Sequence, residues 1–148
     1  MDANAEPIVV QQTFNAPVSS VWRAITDKDQ MRQWFFETMT DFRPESGFET
    51  EFIVRCEDKD YQHLWKVTQV VPEKRIAYDW RYGGYPGSST VVWELAETPD
   101  GTSLTLTHEG HDTFPQDDPV FSRDAGQRGW EWFMCESLKA FLERESPA

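Results

Sequence analysis

Two histidines, His63 and His108, are the side chains in this sequence best suited to proton transfer. Imidazole titrates near neutral pH, so a histidine in a sheltered site can act as a general acid or base. Both occupy inward positions of predicted strands, and His108 is our candidate for a catalytic group. The alternative role for an inward histidine is a hydrogen-bonded residue of a cavity wall.

A third histidine, His111, lies just past the strand that contains His108. The spacing differs from HExxH, which places two imidazoles on one helix face, and no third ligand has a defined position. Glu109 is next to His108, but adjacent strand residues point to opposite faces, so the two do not form an acid–base pair. We therefore predict no metal site.

Motifs for nucleotide chemistry or for an activated nucleophile are absent from the sequence. Since there is no G-x-S-x-G, phosphate-binding loop or dinucleotide fingerprint, we expect no cofactor. The glycine-rich segment from Gly83 to Ser88 links two predicted antiparallel strands and has no following helix to form a phosphate cradle. We interpret it as a mobile hairpin loop and a candidate lid. Cys56 and Cys135 are expected to be separate reduced thiols.

Aromatic residues make up 14% of the chain, and many of them fall at inward positions of the predicted elements. Periodicity indicates which way a ring faces and does not measure whether the interior is full. A solid core and a hollow that binds a small molecule therefore both agree with the pattern. The set predicted to surround such a cavity is Trp34, Phe48, Phe52, His63, Trp65, Tyr78, Trp80, Trp93, Leu106, His108, Trp130 and Met134.

Apolar spacing predicts the elements that position these residues. Residues from Ile8 to Phe14 are typical of a strand, and two short helices follow, the second with Asp27 as N-cap and Gln30 three residues later. From Glu37 to Gly110 the apolar period is two, and short turns separate the strands, which indicates sequential antiparallel hairpins. In one of these strands the pattern predicts a shared inward face for Tyr61, His63, Trp65, Val67 and Val71.

The segment from Arg123 to Arg144 returns to helical spacing and is predicted to form one long amphipathic helix. Its apolar arc must cover the ring-rich face of the sheet. We therefore predict an α+β fold in which a curved antiparallel sheet wraps around a long C-terminal helix, with two short helices after the first strand. Trp132 lies outside the apolar arc, and an exposed tryptophan is typical of an interface, so we predict a candidate homodimer contact there.

The length of 148 residues predicts a single domain, residues 1–148, with loose ends at 1–6 and 146–148. The formal net charge of -12 would repel phosphate backbones, so we expect neither nucleic acid nor an anionic membrane as a partner. No apolar run is long enough to span a bilayer and no signal peptide is visible, from which we expect a cytoplasmic location.

Several motifs in this order resemble one protein family. They are Phe14-Asn15-Ala16-Pro17 with Val21-Trp22-Arg23-Ala24-Ile25-Thr26-Asp27 and Trp34, Phe42-Arg43-Pro44 with Gly47, Val70-Val71-Pro72-Glu73-Lys74-Arg75-Ile76 leading to Trp80, Leu104-Thr105-Leu106-Thr107-His108, and Gly129-Trp130 ahead of Leu138. Together they resemble the family named after the activator of the ninety-kilodalton heat-shock chaperone's ATPase, within the START-like superfamily, also called SRPBCC.

The resemblance implies the helix-grip fold, which is also that of the birch-pollen-allergen-like proteins. It implies an elongated apolar cavity between the sheet and the long helix that holds a lipid, a polyketide or another hydrophobic molecule. On that basis we expect binding of a small hydrophobic ligand, which is a lipid, a polyketide or an aromatic compound, without an assigned reaction. One alternative is a cyclase-like or aldolase-like enzyme that uses His108 for proton transfer. The other is a protein-interaction module related to chaperone ATPase activation, which belongs to the eukaryotic two-domain members of the family.

Overall fold

A computed structural model describes residues 6–56, 59–115, 117–118 and 121–145. Within them, six strands form one antiparallel sheet: β1 (Ile8–Phe14), β2 (Glu49–Cys56), β3 (Lys59–Val71), β4 (Arg75–Tyr82), β5 (Ser89–Thr98) and β6 (Gly101–Glu109). The spatial order is β1-β6-β5-β4-β3-β2, so every neighbouring pair except β1 and β6 is also sequential in the chain. The predicted series of hairpins is confirmed, and the first strand pairs with the last at one edge of the sheet.

Two short helices, α1 (Val18–Thr26) and α2 (Lys28–Trp34), separate β1 from β2. The predicted cap between them is present, since the backbone N–H of Gln30 donates to the Asp27 carboxylate over 3.2 Å. The indole N–H of Trp34 donates to the backbone carbonyl of Ala24 over 2.7 Å. This buried bond holds α2 against α1 and directs Trp34 into the core.

The inward face of β3 changes at a β-bulge between Val67 and Gln69. The extra residue moves Val70 to the position opposite the buried Ile76, and Val71 is 38% exposed. The predicted inward position of Val71 is therefore wrong. Strict alternation cannot foresee the shift, because one inserted residue reverses the facing of every side chain after it.

The C-terminal helical segment runs from Arg123 to Glu145 in three parts: α3 (Arg123–Trp132), a π-helical turn (Phe133–Leu138) and α4 (Lys139–Glu145). Four of its buried residues, Trp130, Met134, Leu138 and Phe141, lie on the predicted apolar arc. Leu142 is buried as well, whereas Trp132 is 57% exposed. The predicted long helix is confirmed, and it contains a π-helical turn that the spacing did not indicate. This turn lies where the Ser137 hydroxyl donates to the Trp34 carbonyl over 2.6 Å, a tertiary contact that spacing along the helix does not reveal.

The curved antiparallel sheet and the C-terminal helix enclose the core, so the predicted α+β fold is confirmed. The backbone carbonyl of Glu6 accepts a hydrogen bond from Arg123, while the other predicted loose ends lie outside the described residues. Cys135 is a free thiol. In the part of the chain that is described, none of the helices has the length and apolarity that crossing a bilayer requires.

Candidate functional site

A cavity of about 150 Å³ lies between the sheet and α3. Strands β3, β4 and β6 supply one wall, α3 with the π-helical turn supplies the opposite wall, and the segment after β6 covers the end. Aromatic rings dominate the surface, which also includes two glycines. The lining residues are Phe36, His63, Trp80, Tyr82, His108, Phe114, Phe121, Gly126, Gly129, Trp130 and Phe133.

The sheet wall follows from the period of two along the strands. Trp80 and Tyr82 lie two residues apart in β4, and His63 of β3 is the direct partner of Tyr82 in the antiparallel register. His108 lies in β6, where it pairs with Val91 of β5. Alternation therefore brings both histidines and two large rings to the same side of the sheet.

The helix wall is formed by positions 126, 129, 130 and 133, which share one face of a helix because they are three, four and seven residues apart. Two of the four are glycines. A methyl group built on Gly129 would meet no other atom within 4 Å. Glycine in a helix interior destabilises it by about 0.5–1 kcal/mol relative to alanine, so the empty space beside Gly129 is maintained at a cost in stability.

A second apolar cluster covers the outer end of the cavity. Phe114 and Phe121 pack there against Tyr61, with Tyr82 and Tyr85 at its edge. The Tyr85 ring lies 5.0 Å from that of Phe121, so the β4–β5 loop reaches this cluster. That loop is the glycine-rich segment predicted as a candidate lid, and its role as a lid stays a prediction.

The hydrogen bonds of His108 define its protonation. The indole N–H of Trp130 donates to Nδ1 of His108 over 3.0 Å, which requires a lone pair on Nδ1. Nε2 consequently bears the proton and donates to the Ser89 hydroxyl oxygen over 2.8 Å. The Ser89 hydroxyl in turn donates to the carbonyl of Trp80 over 2.7 Å. Both ring nitrogens of this buried imidazole are thus engaged in a directed chain.

His63 is buried among aromatic rings and is bonded on one side only. Its Nδ1 lies 3.0 Å from the backbone carbonyl of Tyr61, and because a carbonyl only accepts, Nδ1 bears the proton. Burial lowers the pKa of His63 from 6.5 to about 4, against the opposing effect of this hydrogen bond, so the ring is neutral at physiological pH. Among the described residues, none donates a hydrogen bond to its Nε2.

Four residues of the predicted cavity set line the cavity: His63, Trp80, His108 and Trp130. The other eight lie in or against the packed core around it, where rings fill the space. The Tyr78 hydroxyl accepts a hydrogen bond from the Trp93 indole over 2.9 Å, and the rings of Trp65 and Tyr78 stack at 4.7 Å. Those eight are Trp34, Phe48, Phe52, Trp65, Tyr78, Trp93, Leu106 and Met134. These eight side chains therefore belong to the packed part of the described structure, and the cavity lies beside it.

Seven lining residues are missing from the predicted set. Tyr82 continues the alternation of Trp80, and Phe133 and Gly126 lie on the same helical arc as Trp130, so a signal for these three was present. Three of the remaining residues lie between the regular helices and strands, and the fourth, Gly129, has no side chain. Periodicity in the sequence therefore does not identify any of these four. The seven are Phe36, Tyr82, Phe114, Phe121, Gly126, Gly129 and Phe133.

Charged groups are concentrated elsewhere on the surface. A wider cleft at the β2 edge of the sheet is lined by Asp41, Glu49, Glu51 and Arg81 together with apolar neighbours. Its open, charged surface gives little shelter from water, so it is a weaker candidate for binding an apolar molecule. Among the described residues, no group of three His, Cys, Asp or Glu side chains could hold a metal ion, and the side chain of His111 lies outside this description.

Solved structures of similar fold cover nearly the whole chain. Protein MLL2253 from Mesorhizobium loti is 25% identical, with a TM-score of 0.79, and the match covers 96% of this chain and 100% of that one. A Rhodobacter sphaeroides protein is 20% identical, with a TM-score of 0.77 and coverage of 96% and 95%. DynU16, from the dynemicin biosynthetic locus, is 25% identical with a TM-score of 0.72; the match covers 95% of this chain and 48% of DynU16.

The family of the chain follows from a match over most of its length. No curated protein matches the sequence. The model of the family described as Activator of Hsp90 ATPase homolog 1-like protein matches residues 15–143, which include both short helices, five of the six described strands and nearly all of the C-terminal helical segment. The chain belongs to the family of Activator of Hsp90 ATPase homolog 1-like proteins.

Proposed function

We propose that this protein binds a small hydrophobic molecule in the cavity between the sheet and α3. The observation that supports this function is an aromatic-lined hollow of about 150 Å³ beside a large cluster of buried hydrophobic side chains. Close packing is the normal state of a protein interior, and apolar hollows with a few polar groups are typical ligand sites. The match to a protein from the dynemicin biosynthetic locus supports a small-molecule role.

The size of the cavity favours an aromatic compound over a lipid or a polyketide, the other two ligand classes expected from the sequence. Pockets for drug-sized ligands measure about 300–1,000 Å³, whereas an apolar cavity of about 150 Å³ holds benzene. The cavity in this protein has the volume of the benzene-binding one. A ligand with one ring fits the space, and a long acyl chain or a multi-ring polyketide exceeds it.

The hydrogen bonds of His108 favour binding without catalysis by this residue. A general acid or base needs a nitrogen that can exchange a proton with the substrate. In His108 both nitrogens are engaged, one by Trp130 and the other by Ser89. The arrangement supports a role for His108 in shaping the wall, and the enzyme alternative is left without its proposed acid–base group.

The proposal is tested by filling the hollow. Toluene, a neutral single-ring probe, is titrated into the protein while the amide resonances of Gly126 and Gly129 are followed by NMR. We expect saturable binding to the wild type and its loss in Gly129→Leu, whose new side chain would occupy the empty space. Arg128→Leu adds the same side chain at an exposed position of α3 and serves as the control. Absence of saturable binding to the wild type would refute the proposal.

A second candidate function is protein association through Trp132. Its ring is 57% exposed and lies 5.4 Å from that of Phe133, so an aromatic surface is accessible on the C-terminal helical segment. Large exposed tryptophans are enriched at interface hot spots. The partner proposed from the sequence is a second copy of the chain. The family name also makes a chaperone a candidate partner, which a binding assay with the chaperone of the same organism would test.

A further inference from the structure

His63 presents to the cavity a hydrogen-bond acceptor for which the described residues supply no donor. The ring of His63 lies 5.3 Å from the rings of both Phe36 and Trp80, which also line the cavity. Its Nδ1 is bonded to the carbonyl of Tyr61 in its own strand. Its Nε2 has no donor among the described residues. His63 is only 6% exposed and lines the cavity, so an acceptor left open on its ring points to a partner that arrives with a ligand.

The protonation of His63 determines what this partner must be. With the proton on Nδ1 and a neutral ring, Nε2 presents a lone pair and can only accept a hydrogen bond. The partner must therefore carry an O–H or N–H group. The oxygen of an ether or a ketone, or the nitrogen of a nitrile, would instead place a second acceptor against Nε2.

The second histidine of the wall does not compete for this role. Nδ1 of His108 already accepts from Trp130, and its Nε2 already donates to Ser89. The two histidines thus differ: His108 completes a chain within the protein, and His63 leaves one atom for a ligand.

The lining residues also restrict the charge of the ligand. Asp, Glu, Lys and Arg side chains are absent from the lining residues. Burying an ion without a counter-charge is strongly unfavourable, whereas a neutral polar group needs only its hydrogen bond. A carboxylate or phenolate is further disfavoured because it would place a negative charge against the Nε2 lone pair.

We propose that the cavity selects a neutral single-ring compound with a hydroxyl group, of the size of phenol, whose O–H donates to Nε2 of His63. This inference rests on the proposed function and specifies the ligand class of the same cavity. The aromatic wall holds the ring of the ligand, and His63 sets its orientation and its preference for a donor.

The test compares phenol with toluene, which replaces the hydroxyl by a methyl group of similar size. Dissociation constants for both are measured by NMR titration or calorimetry on the wild type and on His63→Phe. The variant keeps an aromatic ring and removes the acceptor. Because phenol and toluene differ in hydration, the quantity of interest is the change in their affinity ratio between the two proteins. We expect the preference for phenol relative to toluene to fall about tenfold in His63→Phe.

A second measurement uses only the wild type, so it does not depend on the folding of the variant. The ¹⁵N resonance of His63 Nε2 reports a hydrogen bond accepted at that atom. We expect it to shift when phenol saturates the cavity and to stay in place when toluene does. Binding of both probes with no shift at Nε2 and an unchanged affinity ratio would overturn the inference and leave the proposed function intact. Failure of both probes to bind the wild type would overturn the two together. Tighter binding of benzylammonium than of phenol would also overturn it, because the cavity would then select a cation.

Discussion

The indole N–H of Trp130 lies 3.0 Å from Nδ1 of His108 and joins α3 to β6 across the wall of the cavity. Trp130 also contacts the ring of Trp80 at 5.5 Å. A single tryptophan therefore connects the helix to β6 by a directed hydrogen bond and to β4 by aromatic packing. This contact holds the two walls of the hollow at a defined separation.

We expect Trp130→Phe to lower the free energy of unfolding by about 2–4 kcal/mol. The change leaves a buried acceptor on His108 without its donor and replaces a large ring by a smaller one. Urea denaturation measures the loss. Trp132→Phe, two residues along the same helix but 57% exposed, is the matched control and should change stability by less than about 0.5 kcal/mol. Equal effects of the two substitutions would contradict the importance of the Trp130–His108 bond.

Gly129→Ala should raise stability while it weakens ligand binding. Alanine is favoured over glycine in a helix interior by about 0.5–1 kcal/mol, and its methyl group would meet no atom within 4 Å. The same methyl group would enter the space where we place the ligand. Thermal unfolding and toluene titration measure the two effects. A decrease in stability would show that the position is more crowded than the structure indicates.

Stability should decline in acid through His63. Because burial lowers the pKa of His63 from 6.5 to about 4, the unfolded chain binds a proton between these pH values that the folded chain does not. The contribution of neutral His63 to the free energy of unfolding is fully present above pH 6.5 and is lost as pH falls towards 4. Between about pH 7 and about pH 4.5 we expect the wild type to lose roughly 2–3 kcal/mol more than His63→Phe, since one pKa unit corresponds to about 1.4 kcal/mol. Parallel stability profiles in urea titrations of the two proteins would disprove this.

Trp132→Glu tests the association function. Because the side chain is mostly exposed, we expect the substitution to leave the unfolding free energy within about 0.5 kcal/mol of the wild type. If the ring contacts a second copy, the mass in solution at high protein concentration should fall to that of a monomer. Arg128→Glu, at another exposed position of α3, is the charge control. An unchanged mass would exclude Trp132 as a dimer contact.

Local features of the chain were predictable because they depend on neighbouring residues. Asp27 caps α2 as the spacing to Gln30 indicated. The alternation of apolar residues correctly predicted that Trp80 and His108 face inward. The β-bulge and the π-helical turn were not predictable. The first reverses the facing of Val71 without a marker in the pattern, and the second lies beside a contact between Ser137 and Trp34 that is distant in sequence.

The sequence by itself determined the fold class and the inward face of most rings, since these follow from periods of two and 3.6 and from short turns. The family was indicated separately, by motifs that resemble those of its members. Only the tertiary structure decided which rings fill the core and which surround a hollow. That outcome depends on the summed volumes of side chains from several elements, including the absence of one at Gly129. The different roles of His63 and His108 were decided in the same way, because a hydrogen-bond partner such as Trp130 is chosen by distance in space.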